Sequence, residues 1–193
     1  MTDVFLTIRK NYQNSKVTMR KNTSSKKKGV SHNIKGAHVI FFTLLRILIK
    51  DKKGNYKEDA IQALLLCKRT QDAAIHPGYW ALFGGRCDSK LPQTTIRKEI
   101  KEELEITGIN PEKIRMKKIC DILIRRKKGS LLIRYYKAPL DVGVHKLRLK
   151  WNKDDKKVEG EGIGWFTAEE INHMMIRPED RLAISEFFRK NGV

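Results

Sequence analysis

The chain has 193 residues, 40% hydrophobic and 33% charged, with 41 Lys and Arg against 22 Asp and Glu for a net charge of +19. That length lets it bury one good core beneath a heavily charged surface. A membrane span is excluded, because the best apolar candidate, Val39 to Ile49, is short for a bilayer and interrupted by Arg46.

Val4-Phe5-Leu6 is too brief for the apolar core of a secretory signal, and Cys67, Cys87 and Cys120 form no CxxC pair. Reduced thiols and a cytoplasmic location are therefore expected. Residues 1–36 hold nine Lys and Arg against Asp3 alone, which is +8 of the total. They read as a basic N-terminal extension or linker, partly strand, ahead of one domain over 37–193. A basic balance of this kind suits RNA or another large phosphate ligand, reached through the arm. A merely soluble basic surface accounts for it equally well.

In chain order, Phe5 to Ile8 and Lys16 to Met19 read as two short strands, and Lys21 to Gly36 as a polar linker. Val39 to Ile49 reads as a buried strand, Asp51 to Asn55 as a turn, and Ala60 to Lys68 as a second apolar strand. Pro77-Gly78 breaks the chain before a short strand at Trp80. Pro92 suits the first turn of a helix, where its missing N–H costs nothing. Strands follow over Ile114 to Ile124 and Leu131 to Lys137 around the Lys127-Lys128-Gly129 turn, then over His145 to Trp151 and at Gly164 to Phe166. Thr167 with Glu169 and Glu170 marks a helix start. Pro178 to Lys190 reads as a terminal helix with Leu182, Ile184, Phe187 and Phe188 available for burial.

The segment after Gly84-Gly85 carries the chemistry. Lys98-Glu99-Ile100-Lys101-Glu102-Glu103 on a helix sets Glu103 about 40° to one side of Glu99 and Glu102 about 60° to the other. Such like charges repel by roughly 0.2–0.5 kcal/mol per pair on an exposed helix. A hard divalent cation such as Mg²⁺ reverses that sign. The plain alternative is a solvated face, because Lys98 and Glu102, or Lys101 and Glu105, stand at i,i+4.

These residues resemble the Nudix hydrolase signature, G-x5-E-x7-R-E-U-x-E-E-x-G-U, with U apolar. Glu99 falls on the glutamate after the arginine, Glu102 and Glu103 on the glutamate pair, and Ile100 and Ile106 on apolar positions. Counted from Gly85, the loop is one residue shorter than the pattern. Lys90 or Leu91 stands at the early glutamate, Lys98 replaces the arginine, and Glu105 takes the later glycine. Lysine lacks the rigid bidentate fork of arginine, so it orients a glutamate less firmly.

The resemblance implies an α/β fold, the Nudix-type α/β/α sandwich with a mixed sheet. It further implies Mg²⁺ or Mn²⁺ held by Glu99, Glu102 and Glu103 with a Gly84 or Gly85 carbonyl, nucleotide-type phosphate substrates, and a homodimer as in many relatives. Catalysis would then rest on the same three glutamates, with a base from Glu159 or Glu161 in the Glu159-Gly160-Glu161-Gly162 loop, where some members carry a catalytic glutamate. Solvated hairpin acids are the alternative there.

Arg69 and Arg86 are candidates for substrate phosphates, with surface solvation as the alternative. Trp80 and Phe83 either stack on a base or fill the core, the latter being favoured on their apolar strand. Phe83 stands where many relatives have proline. The function expected is a metal-dependent pyrophosphohydrolase cleaving a nucleoside diphosphate linked to another moiety, whether nucleotide, nucleotide sugar or RNA 5′ end. The alternatives are a non-catalytic nucleotide- or RNA-binding module of the same fold, and a basic structural protein with an incidental acidic helix.

Overall fold

The computed structural model describes residues 16–20, 33–87, 91–126, 129–152, 157–158 and 160–191. Strand β1 is Lys16–Arg20, β2 Ile34–Lys50 and β3 Tyr56–Arg69. Two short strands follow, β4 at Trp80–Ala81 and β5 at Phe83–Arg86, before helix α1 at Pro92–Glu103. Then come β6 (Leu104–Ile106), β7 (Lys117–Arg126) and β8 (Gly129–Pro139). The remainder is β9 (Leu147–Leu149), β10 (Trp151–Asn152), β11 (Lys157–Val158), β12 (Gly160–Thr167), α2 (Ala168–His173) and α3 (Pro178–Asn191). The strand expected at Phe5 to Ile8 lies outside the described residues.

Among the described residues, eight strands form one sheet in the order β1-β7-β8-β2-β3-β12, with β4 on β3 and β5 on β2. The sheet is mixed: β2 and β8 run parallel, and the other pairs antiparallel. Alternation along β2 sends successive side chains to opposite faces. Val39 and Phe41 join Leu65, Phe83, Ile96 and Ile100 beneath α1. Ile40 joins Leu64, Leu66, Ile133, Ile171, Ile184 and Phe187 beneath α2 and α3. The result is an α/β/α sandwich. Leu182 and Phe188 pack half-buried at the rim of the second core.

Helix starts follow local chemistry. Pro92 opens α1 in its first turn. Thr167 and Glu170 form a reciprocal capping box for α2, each side chain bonding the other's backbone N–H.

Three expectations are corrected. β2 is buried only as far as Thr43, and Leu44, Leu48 and Ile49 are exposed. The reason is that β8 ends at Pro139, opposite Phe42, so among the described residues β2 and β3 run on as a pair. The strand expected from His145 to Trp151 is divided, with a 3-10 turn at Val144–Lys146 ahead of β9 and β10. Ile114 precedes β7 and closes the 3-10 turn Pro111–Lys113.

Candidate functional site

A cleft opens where the C-terminal end of β3, the β4–β5 segment and the end of α1 meet. It is lined by Cys67, Arg69, the Ala81–Gly84 segment, Glu103, Leu149, Gly160 and Arg177. Glu103, the last residue of α1, is held there by its carbonyl, which accepts from Lys150 N–H at 2.9 Å. The Lys150 ammonium donates to the Lys101 carbonyl at 2.9 Å, a cation at the negative end of the helix.

The glycine pair faces α1 through two different constraints. Gly84 has φ +137°, and a Cβ there would meet the Ala37 carbonyl and lie 2.7 Å from His38 Cα. Only glycine fits this left-handed backbone against the neighbouring strand. Gly85 is limited instead by Glu99. A Cβ on Gly85 would strike the carboxylate, 2.5 Å from Glu99 Cδ. The missing side chain thus makes the cradle in which the Glu99 carboxylate sits. Counted from Gly84, whose conformation demands glycine, the spacing to Lys98 matches the Nudix pattern without a gap, and Lys90 then stands at the early glutamate.

Arg177 was not among the candidates drawn from sequence. It is brought in by the 174–177 segment, which pairs with β4: Trp80 N–H donates to Met175 O at 2.8 Å and Arg177 N–H to Trp80 O at 2.9 Å. Its guanidinium is 13% exposed, donates from Nη2 to Asp180 Oδ1 at 2.8 Å, and lies with Nε 3.3 Å from Glu179 Oε1. Asp180 is wholly buried and accepts also from Leu82 N–H at 3.0 Å and Tyr135 O–H at 2.9 Å. The same carboxylate therefore fixes an arginine of the cleft and the strand segment that leads to Gly84.

Burial opposes both charges, but each partner outweighs it. Arg177 holds Asp180 below the usual carboxylate range, and Asp180 raises Arg177 above the ordinary guanidinium value. His38 lies 3.2 Å from Arg177 Nη2 and stacks on Tyr135. Burial, then the Arg177 charge, lowers its pKa to about 3, so it is neutral at ordinary pH. The signal that could have flagged this cluster is Arg177-Pro178-Glu179-Asp180, where two acids open a helix directly behind an arginine.

The other candidates are placed as follows. Arg69 lines the cleft and donates from Nε to Ile75 O at 3.0 Å. Glu102 turns to Lys98, 3.7 Å away. Glu161 accepts from Gln71 N–H at 2.8 Å and pairs with Lys68 at 3.4 Å. Glu159 lies outside the described residues. Arg86 is exposed at the end of β5, opposite Gly36. Phe83 is 1% exposed and packs on Phe41 in the core, and the residue also lines the cleft. Trp80 meets Phe166 edge-on at 4.7 Å against the core.

The cleft thus assembles Gly84, Glu103, Arg69 and Arg177, with Glu99 alongside on Gly85. Among the described residues no three His, Cys, Asp or Glu side chains converge to hold a metal ion. Glu99 and Glu103, one helical turn apart, with a glycine carbonyl make a hard oxygen set. Mg²⁺ is suited to such a set, because it takes one or two carboxylates and completes its shell with water and substrate phosphate. The residues fit on that basis.

The NUDIX domain family model matches residues 46–187. The chain is similar to the nucleoside triphosphatase NudI of Enterobacter sp. (strain 638), 30% identical over 130 residues that span 64% of this chain and 86% of that protein. Its fold is similar to the NUDIX domain of Shewanella oneidensis NrtR complexed with ADP ribose, with TM-score 0.56, 13% identity, and coverage of 86% of this chain and 94% of that one. It also resembles the MutT protein from Methanosarcina mazei Go1, with TM-score 0.55, 16% identity, and coverage of 82% and 94%.

Proposed function

The chain belongs to the Nudix family, and from that premise we propose that it hydrolyses a nucleoside triphosphate, or a related nucleoside diphosphate linked to another group, with Mg²⁺ or Mn²⁺. The general activity, hydrolysis of phosphoric anhydrides, comes with the family and its nucleoside triphosphatase relative. The triphosphate is favoured because that relative is 30% identical over 130 residues. The observation that carries the reading is the meeting of Glu103 and Gly84 with two arginines in one cleft.

A pyrophosphate resists attack because its oxygens repel nucleophiles, so a catalyst must neutralise them and position water. Arg69 and Arg177 present their guanidinium groups to the cleft and take the phosphate oxygens. Arg177 is held for this by Asp180 and Glu179 rather than by solvent, so little reorganisation is needed when substrate enters. Glu99 and Glu103, with a Gly84 or Gly85 carbonyl, are the ligands for the divalent ion. When bound, such an ion polarises a phosphoryl oxygen and lowers the pKa of a coordinated water. Phe83 and Leu82 close the apolar wall and exclude bulk water. Glu161 becomes available as a base only if it leaves Lys68 and Gln71.

The test is product detection from nucleoside di- and triphosphates, nucleotide sugars, dinucleoside polyphosphates and 5′-triphosphate RNA. It is run with Mg²⁺ or Mn²⁺, beside a variant with Glu99, Glu102 and Glu103 changed to Gln. Turnover of triphosphates that requires both metal and the glutamates, with folding unchanged, is the expected result. Preference for the RNA, lost at high salt, would shift the substrate to RNA ends bound through the basic arm. Silence across the panel from a folded protein overturns the catalytic reading in favour of a nucleotide-binding module.

A further inference from the structure

Trp80 packs on Phe166 in the core on the α2–α3 side, and Phe83 is 1% exposed, which leaves a base little ring to stack on at either residue. The strand pairing sets other side chains beside the arginines. Arg69 N–H donates to Tyr79 O at 2.9 Å, Trp80 N–H to Met175 O at 2.8 Å, and Trp80 stands opposite Ile176 in a parallel bridge. Successive side chains along a strand point to opposite faces, and neighbouring strands lie about 4.8 Å apart. Trp80 and Ile176 go to the core. Ala81 and Arg177 line the cleft on the other face, with Cys67 opposite Ala81. Tyr79 and Met175, two residues from them, share that face. Two rows result: Cys67, Ala81 and Arg177 in the cleft, and Arg69, Tyr79 and Met175 one step outward.

The outer row is held in place. Arg69 Nε donates to Ile75 O at 3.0 Å, and Tyr79 N–H to His76 O at 3.3 Å, which folds the 70–79 loop back on the strand end. His76, at φ +53°, sets its ring 5.3 Å from that of Tyr79 and its Nε2 4.0 Å from Glu179 Oε2. Tyr79 is half-buried, and Met175 is 61% exposed. A phenol ring and a thioether suit the flat, polarisable face of a nucleobase, and a ring fixed beforehand loses little freedom when a ligand arrives. The neighbouring charges select the occupant: a nucleotide held by its phosphates at Arg69 and Arg177 carries its base one sugar away, and the row that starts at Arg69 continues into these two side chains. On the reading that the cleft hydrolyses a nucleoside triphosphate, we propose that Tyr79 and Met175 form the platform on which the base of the substrate stacks. Stacking there adds affinity for a nucleotide over a bare polyphosphate and leaves the phosphate chemistry to the cleft.

The test is calorimetric binding of α,β-methylene nucleoside triphosphates and of inorganic tripolyphosphate to the full chain with Mg²⁺. Tyr79→Leu keeps apolar bulk and loses the ring, and Met175→Ala shortens an exposed side chain, so both variants should fold. Each should weaken the nucleotide analogues about tenfold, the effect of removing a stacking partner, and leave tripolyphosphate unchanged. Arg69→Gln should weaken both ligands, and Leu48→Ala, at an exposed apolar position on β2, neither. With a substrate that turns over, the two platform variants should raise KM and keep kcat within about twofold, as expected when binding is lost equally from ground and transition states. Nucleotide binding indifferent to both substitutions, or lost in equal measure for tripolyphosphate, or weakened as much by Leu48→Ala, overturns the proposal. The analogues are not cleaved, so the platform is read even in a protein that turns over nothing: weaker analogue binding without turnover sinks the hydrolase reading alone, and turnover with unchanged binding sinks the platform alone.

Discussion

Replacing each of the two adjacent glycines by alanine should separate a scaffold position from a functional one. At Gly85 the new methyl group would lie 2.5 Å from Glu99 Cδ, whereas ordinary contact begins at 3.4 Å. The obstacle is the end of a flexible side chain, so the protein folds and the carboxylate withdraws. That withdrawal is about 1 Å, a displacement that at a reacting centre costs on the order of 10²-fold in rate, or about 2.7 kcal/mol of barrier. Stability should change by less than about 1 kcal/mol, since the entropy lost by the unfolded chain offsets the local crowding. At Gly84 the obstacle is backbone, the Ala37 carbonyl and His38 Cα, and φ is +137°. Neither strand can retreat without breaking the Ala37↔Gly85 and His38↔Gly84 register. Strain and overpacking together put the cost of Gly84→Ala at about 3 kcal/mol or more.

The assay pairs urea unfolding with kcat/KM on the best substrate from the panel, for Gly84→Ala, Gly85→Ala, Glu99→Gln and the Gly85→Ala/Glu99→Gln double variant. Because Gly85→Ala acts through Glu99, the double variant should be no worse than Glu99→Gln alone. Full activity in a folded Gly85→Ala protein, or losses that simply multiply in the double variant, would refute the reasoning.

Other expectations bear on the cluster behind the cleft and on α2. Asp180→Ala leaves the Arg177 charge buried without its main partner and should destabilise by about 3–5 kcal/mol, lowering Tm by on the order of 10 °C. Arg177→Met in the same chain should recover part of that loss in calorimetry. His38 has its pKa lowered from 6.5 to about 3, so below pH 6.5 the unfolded chain binds a proton that the folded one refuses. Its contribution is therefore complete above pH 6.5 and is lost as pH falls towards 3, by about 2 kcal/mol between pH 7 and 5. Urea midpoints at those two pH values should show this loss in the parent and much less of it in His38→Gln. Thr167→Ala removes the cap of α2 and should cost about 1 kcal/mol by the same measurement.

Much of the fold was legible because its signals are local. Pro92 at a helix start, the Asp51 to Asn55 turn and the cap at Thr167 depend on a few neighbouring residues, and each stands where it was read, while Lys127 and Lys128 lie outside the described residues. The strand at Lys16 was equally readable, though not that it would pair with β7 at the edge of the sheet. Glu99 and Glu103 came from helical spacing plus a family motif, and both lie at or beside the cleft. Glu102 faces Lys98, the i,i+4 neighbour already visible in the sequence, whereas Glu161 meets Lys68 only because β12 pairs with β3.

What the sequence by itself determined was the alternation of apolar residues, the turns and caps, and the acidic helix behind a glycine pair. These follow from backbone stereochemistry and hydrophobic periodicity over short spans. Only the tertiary structure decided that Arg177, far along the chain, completes the cleft with Arg69, Gly84 and Glu103, since that meeting depends on the 174–177 segment pairing with β4. It alone decided that β2 is core up to Thr43 and exposed ribbon beyond. Val39 and Leu48 are both aliphatic residues of one strand, and the difference between them is whether a neighbouring strand and helix are there to cover them.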